Sequence, residues 1–298
     1  MFVLEYLVEP IEDIKFESFP GYYLRGLFFN TLKKYDEKLA LRIHESQSIA
    51  PYSIKIFQKV DTGELLRNHI KARQQVKFSF TILDENLFDL LKEPLMVNSS
   101  FRIAGKLMNV REVNVQKKSF SDILSNSKPL KEKFAIDFLT PTSFRLPLTT
   151  CCKHCHVYKR LKARIQTKDK ETAELLAMIN NRRGIIYPLP DIKLAFYNIV
   201  RLIKRFEVLS FNSDEFNSWL DVESVVISGF ENGIKTLRYY EHKTSNKFFI
   251  GFIGKVNYYV RNNTEDKSRI ANALLSYAEL TNVGPNRTAG FGSIRLLN

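Results

Sequence analysis

Three sets of residues have the types and spacings that could carry chemistry. The first is TNVGPNRTAGFGSIRLLN, Thr281 to Asn298, where Gly284, Gly290 and Gly292 surround Asn286, Arg287 and Thr288. Glycine permits positive φ and close backbone approach. A loop built this way can turn its N–H groups outward and cradle phosphate oxygens. Arg287 would add a guanidinium, whose planar fork matches a phosphate. The stretch is not a G-x-x-x-x-G-K-[ST] phosphate loop, because here a helical pattern leads in and a strand pattern follows. A plain glycine-rich turn closing the last hairpin or crossover accounts for the same spacing.

The second is His44, which follows an apolar helical face and precedes the strand-like PYSIKIF. Histidine changes charge near neutral pH and suits proton transfer, although a lone histidine is equally a surface or capping residue. The third is TTCCKHCHVYKRLKAR, with Cys151, Cys152, His154, Cys155 and His156 in close succession. A Cys-x-x-Cys pair beside a histidine can hold zinc, but a structural zinc site takes its second pair from a separate knuckle. The alternative is a half-buried segment with free thiols, and no metal is assigned. No carboxylate cluster of the two-metal nuclease type is present in the sequence.

These residues need a scaffold, and composition bounds it. The chain has 298 residues, 44% of them hydrophobic, and a formal net charge of +13. That length fits two domains, and that apolar content excludes a disordered chain. The basic excess favours an anionic partner, nucleic acid first. Basic runs with aromatics at Arg67 to Arg73, Arg201 to Arg205 and Arg238 to Lys243 fit phosphate contact and base stacking, or solvated faces. No run is long enough to cross a membrane, MFVLEYLVEP lacks the basic start of a signal peptide, and neither a lipid signal nor a basic amphipathic helix is seen. The odd number of cysteines, all within one short stretch, fits a reducing cytoplasm.

Hydrophobic periodicity then predicts the elements. Strands are expected at Phe2 to Val8, Tyr52 to Val60 and Val76 to Leu83. Helices are expected at Gly21 to Tyr35, Lys38 to His44 and Glu85 to Leu91, and a hairpin at Ser100 to Val115. This order is ferredoxin-like. The polar, Lys- and Ser-rich stretch that follows predicts a linker at about 116–133, dividing an N-terminal domain, 1–120, from a C-terminal domain, 134–298. The second set has strands at Phe134 to Thr140, Ser224 to Gly229, Lys235 to His242 and Lys247 to Val260, a final strand, and helices at Glu171 to Asn181, Asp191 to Phe206 and Thr264 to Leu280. The fold class is α+β: two tandem ferredoxin-like (RRM-like) domains, each an antiparallel sheet with helices on one face.

Several of these stretches together resemble a known family. G-x-x-x-T-x-G-F-G followed by alternating apolar residues is similar to the C-terminal signature of the CRISPR repeat-processing endoribonucleases, members of the repeat-associated RRM-like (RAMP) superfamily. GYYLRGLFFNTL, LALRIHE and APYSIKIF resemble the family's N-terminal helix region. FAIDFLTPTSFR resembles the start of its second domain, and YPLPDIKLAFYNIVRLIKRF with FFIGFIGKVNYYV its helix and core strand. The resemblance implies a metal-independent endoribonuclease without a cofactor. It would cut CRISPR repeat RNA by 2′-OH attack, leaving 2′,3′-cyclic phosphate and 5′-OH ends. It implies a catalytic role for His44, with Arg25 or Tyr23 as helpers. The RNA backbone would meet Gly284, Asn286, Arg287, Thr288, Gly290 and Gly292, with Arg201 and Lys204 on the following surface. A second copy of the chain or a CRISPR effector complex are further candidate partners. Two positions depart from the family pattern. Phe29 stands where members with that histidine often have tyrosine, and no lysine follows His44 before Lys55. The alternative they raise is a repeat-RNA-binding protein that does not cut.

Overall fold

The computed structural model of the chain describes residues 1–46, 48–146, 185–222, 224–240 and 247–297. The first half begins with β1 (Phe2–Pro10), which alternates inward Leu4, Tyr6 and Val8 with outward residues such as Glu5. After β2 (Ile14–Lys15) comes α1 (Pro20–Tyr35). Proline in its first turn is preset for a helix start, and Leu24, Phe28 and Leu32, one turn apart, form its buried stripe. α2 (Glu37–Glu45) is capped by Asp36, whose carboxylate accepts from Leu39 N at 2.8 Å. β3 (Tyr52–Lys59), β4 (His69–Ile70), β5 (Val76–Ile82), α3 (Glu85–Val97), β6 (Ser100–Ile103) and β7 (Lys106–Lys117) complete this half. The main sheet is antiparallel in the order β3-β5-β1-β7-β6, and β2 pairs with β4. α3 runs beyond the predicted Leu91, through Pro94, because Leu91 and Leu95 continue its buried stripe.

The second half starts inside the stretch expected to be linker. α4 (Phe120–Asn126) lies there, closed by a Ser119–Asp122 capping box, and Phe120 is fully buried in the second core. The rest is β8 (Lys133–Thr142), β9 (Phe144–Leu146), β10 (Ile185–Tyr187), α5 (Ile192–Phe206), α6 (Ser213–Asp221), β11 (Val225–Tyr240), β12 (Phe248–Val260), α7 (Glu265–Thr281), a 3₁₀ turn at Arg287–Ala289, and β13 (Ile294–Leu297). The sheet order is β11-β12-β8-β13, antiparallel throughout. Leaving aside the edge strand β6, both halves place their strands second-third-first-fourth, which is the ferredoxin-like arrangement that the pattern predicts. The two strands expected at Ser224 to Gly229 and Lys235 to His242 are one. β11 passes through a bulge at Glu231/Lys235, with Asn232 and Gly233 at positive φ, because β12 pairs with it on both sides of the irregularity. The predicted helix Glu171 to Asn181 and the segment Cys151 to His156 lie outside the described residues.

The halves meet along β3. Thr81 Oγ1 donates to Leu280 O (2.8 Å), Asn282 Nδ2 to Ile54 O (2.8 Å), and Arg67 Nη2 to Leu139 O (2.6 Å). A small third core of Phe19, Ile56, Phe249, Ala289 and Phe291 seals the seam. Phe291 stacks on Phe19 at 4.3 Å and on Phe249 at 4.2 Å between ring centres. Burying each such ring is worth about 2 to 3 kcal/mol, so the C-terminal loop is firmly held.

Candidate functional site

The glycine-rich loop sits in this seam, and its geometry corrects the phosphate-cradle reading. Gly284, Gly290, Gly292 and Arg287 are all buried. The N–H groups meant for a ligand are consumed within the protein. Gly284 N donates to Asn198 Oδ1 (2.9 Å), Gly290 N to Arg287 O (3.1 Å) and Gly292 N to Pro141 O (3.1 Å). Buried backbone donors require such partners. The guanidinium of Arg287, only 6% exposed, donates through Nη1 to Thr281 O (3.1 Å) and through Nη2 to Ala50 O (3.0 Å). Burial depresses its pKa to about 10, against the opposing pull of Tyr277 and Tyr52. The glycines answer a steric demand. Gly292 has φ +75, and a Cβ there would overlap the Val283 carbonyl; Gly21 of α1 faces Ala289, whose carbonyl a Cβ would overlap in the same way. Of the residues assigned to the loop, Asn286 is exposed and Thr288 half-buried, and these two remain reachable from outside.

Beside the loop, α1 and α2 form an open face. Tyr22, Arg25 and Phe29 lie at i, i+3 and i+7, one side of the helix. Tyr22 meets Phe291 at 5.7 Å. Phe29 is the centre of the group: the Arg25 guanidinium carbon is 5.9 Å from its ring centre, the His44 ring 5.5 Å away edge-on, and the Tyr52 ring 6.0 Å away. His44 is exposed on the last turn of α2. Tyr52 stacks on Phe28 at 4.0 Å and is fully buried. Burial raises its phenol far above the usual range, while Arg25, Thr288 and Arg287 act on it in the opposite direction. The structure thus gathers Arg25 and His44 around Phe29, with Thr288 next to the same tyrosine. No sequence signal singles out Tyr52, because its alternation with Ile54 has the form of an ordinary core strand.

Tyr23 does not join them. Two residues from Arg25, it is turned roughly 200° around the helix, where it packs on Phe16 at 5.4 Å and its hydroxyl accepts from Glu17 N at 3.3 Å. Lys55, the next lysine after His44, is on the sheet face away from α1. Burial lowers its pKa, and its charged neighbours are Glu279, Arg295, Glu5 and Lys118. Arg201 and Lys204 are exposed on α5. Arg201 stands one turn beyond Asn198, the side chain that holds Gly284. Arg67, from the first basic run, is half-buried in the seam instead of facing solvent. Among the described residues, no three or more His, Cys, Asp or Glu side chains are placed to hold a metal, and no helix is long and apolar enough to cross a membrane.

A family profile matches residues 136–294, just over half of the 298-residue chain, and its description is CRISPR-associated endoribonuclease Cas6. The chain belongs to the Cas6 family. No curated protein matches the sequence. Among solved structures, the product complex of a Thermus thermophilus Cas6 is 19% identical, covers 100% of both chains and has a TM-score of 0.65. A Cas6 carrying a histidine-to-alanine substitution is also 19% identical over 100% of both chains, with a TM-score of 0.61. A Cas6-related protein of Pyrococcus furiosus is 10% identical over 100% of this chain and 98% of that one, at 0.53. At these identities the likeness is one of fold. It extends over both ferredoxin-like halves, including the first, which the Cas6 profile does not reach.

Proposed function

We propose that this Cas6 chain cleaves CRISPR repeat transcripts at the α1–α2 face without a metal ion. The 2′-oxygen of the nucleotide before the scissile bond attacks phosphorus, an O2′–P bond forms, and the P–O5′ bond breaks. One proton leaves the 2′-hydroxyl and one reaches the departing 5′-oxygen, giving a 2′,3′-cyclic phosphate and a 5′-OH. His44 serves as the acid or base. Arg25 stabilises the extra negative charge on the phosphorane. The observation that carries this reading is the placement of both His44 and Arg25 against Phe29, on an open face. RNA runs from there toward Asn286 and Thr288 and along Arg201 and Lys204, whose charges meet phosphates. Membership of a family described as endoribonucleases supports the reading of RNA cleavage.

One observation favours a second reading, a repeat-RNA-binding protein without cleavage. Phe29, at the centre of the group, has no proton to exchange. A single assay separates the two. Labelled repeat RNA incubated with the protein in excess EDTA should be cut to cyclic-phosphate and 5′-OH ends. Binding without cutting supports the second reading, and cutting only when a divalent ion is restored overturns the metal-independent mechanism.

A further inference from the structure

The hairpin of β11 and β12 runs past the rest of its sheet. β8 pairs with β12 from Phe252 to Tyr259, so the rungs Tyr239↔Phe249 and Tyr240↔Phe248 stand beyond it. Strand alternation sorts their aromatic rings onto two sides. Tyr239 and Phe249 face the seam, where Phe249 stacks on Phe291 and Tyr239 lies 5.0 Å from Phe19. Tyr240 and Phe248 face the other way and belong to no core, being 47% and 44% exposed. They lie 5.8 Å apart at 58°, and the Arg238 guanidinium carbon sits 4.5 Å over the Phe248 ring.

The fold does not need this outer trio, since the hairpin is anchored by its opposite side. Large exposed rings gathered in one place mark a binding surface. A guanidinium flat on a ring keeps its N–H edge outward, where it can meet a phosphate. Aromatic faces that accept any base, combined with a cation, are how single-stranded nucleic acid is held. We propose that Arg238, Tyr240 and Phe248 form a stacking platform for an unpaired nucleobase of the RNA, with Arg238 meeting the adjoining phosphate. This rests on the reading of the chain as an enzyme acting on RNA. The anchor ties the platform to Phe19 at the start of α1, the helix that carries Arg25, so the base it holds flanks the nucleotides at the cleavage face.

The test uses the whole protein and repeat RNA carrying 2-aminopurine at successive unpaired positions, with a 2′-deoxy residue at the cleavage site. In the unaltered protein, binding should quench at least one position by stacking. Phe248→Ala and Tyr240→Ala should abolish that quench and weaken binding about 10-fold, whereas Phe248→Trp should keep both. Arg238→Gln, which removes no ring, should reduce the salt dependence of binding by about one unit of slope. Variants that bind and quench like the parent overturn the platform and leave this surface to a protein partner. If the parent binds no repeat RNA, the functional reading falls first and the platform with it.

Discussion

The glycine-rich loop and the α1–α2 face are neighbours built on opposite terms. The loop has the richer sequence signal: closely spaced glycines, an arginine and a threonine. Yet its N–H groups and its guanidinium are turned inward onto Asn198, Pro141, Thr281 and Ala50. The α1–α2 face has a single histidine and a half-buried arginine beside a phenylalanine, and it is open. Residues suited to gripping phosphate also suit holding a backbone together, because a carbonyl oxygen is an acceptor too. What divides the labour is burial. The loop's task is to fix the segment that leads from His44 to Tyr52, and Arg287 does this by holding Ala50.

That division can be attacked from either side. The largest effect should come from the open face. His44→Ala should slow single-turnover cleavage by ~100-fold or more while affinity for repeat RNA changes little; an unchanged rate removes His44 from the mechanism. Next is the loop's steric demand. Gly292→Ala places a Cβ at positive φ against the Val283 carbonyl, which should cost about 2 kcal/mol and lower the melting temperature by roughly 4 to 8 °C; a melting temperature equal to the parent's would show that the loop is free to move. Arg287→Gln removes both the charge and the fork that spans two carbonyls. It should destabilise the fold by about 1 to 2 kcal/mol and leave the salt slope of RNA binding as it was. A reduced slope would mean that the guanidinium meets phosphate and that the inward assignment is wrong. The smallest effects belong to the surface of α5. Arg201→Ala and Lys204→Ala should each lower that slope by about one with no change in melting temperature.

Much of the fold was legible because its patterns are local. The alternation in β1, the one-turn spacing of Leu24, Phe28 and Leu32, and the strand–helix order each point to ferredoxin-like halves. The illegible parts depend on contacts distant in sequence. Whether Gly290 offers its N–H to a ligand or to Arg287 O is decided by where β3 and α1 pack, which spacing does not contain. That Tyr22 and not the expected Tyr23 lines the open face turns on which side of α1 meets the loop, and the Phe291 contact reveals it. The continuity of β11 through Asn232 and Gly233 comes from pairing with β12, which outweighs the local tendency to break. His44 was legible as a candidate through the resemblance, whereas its contact with Phe29, beside Arg25, comes from the packing of α2 on α1.

The hydrogen bond from Arg287 to Ala50 joins positions 237 apart in the chain. A ribosome must therefore have passed Arg287 before that brace can close. Fragments released early would contain His44 and Arg25 without the clasp that sets the segment between them and β3. The order of synthesis thus delays the bracing of this segment until the glycine-rich loop has been made.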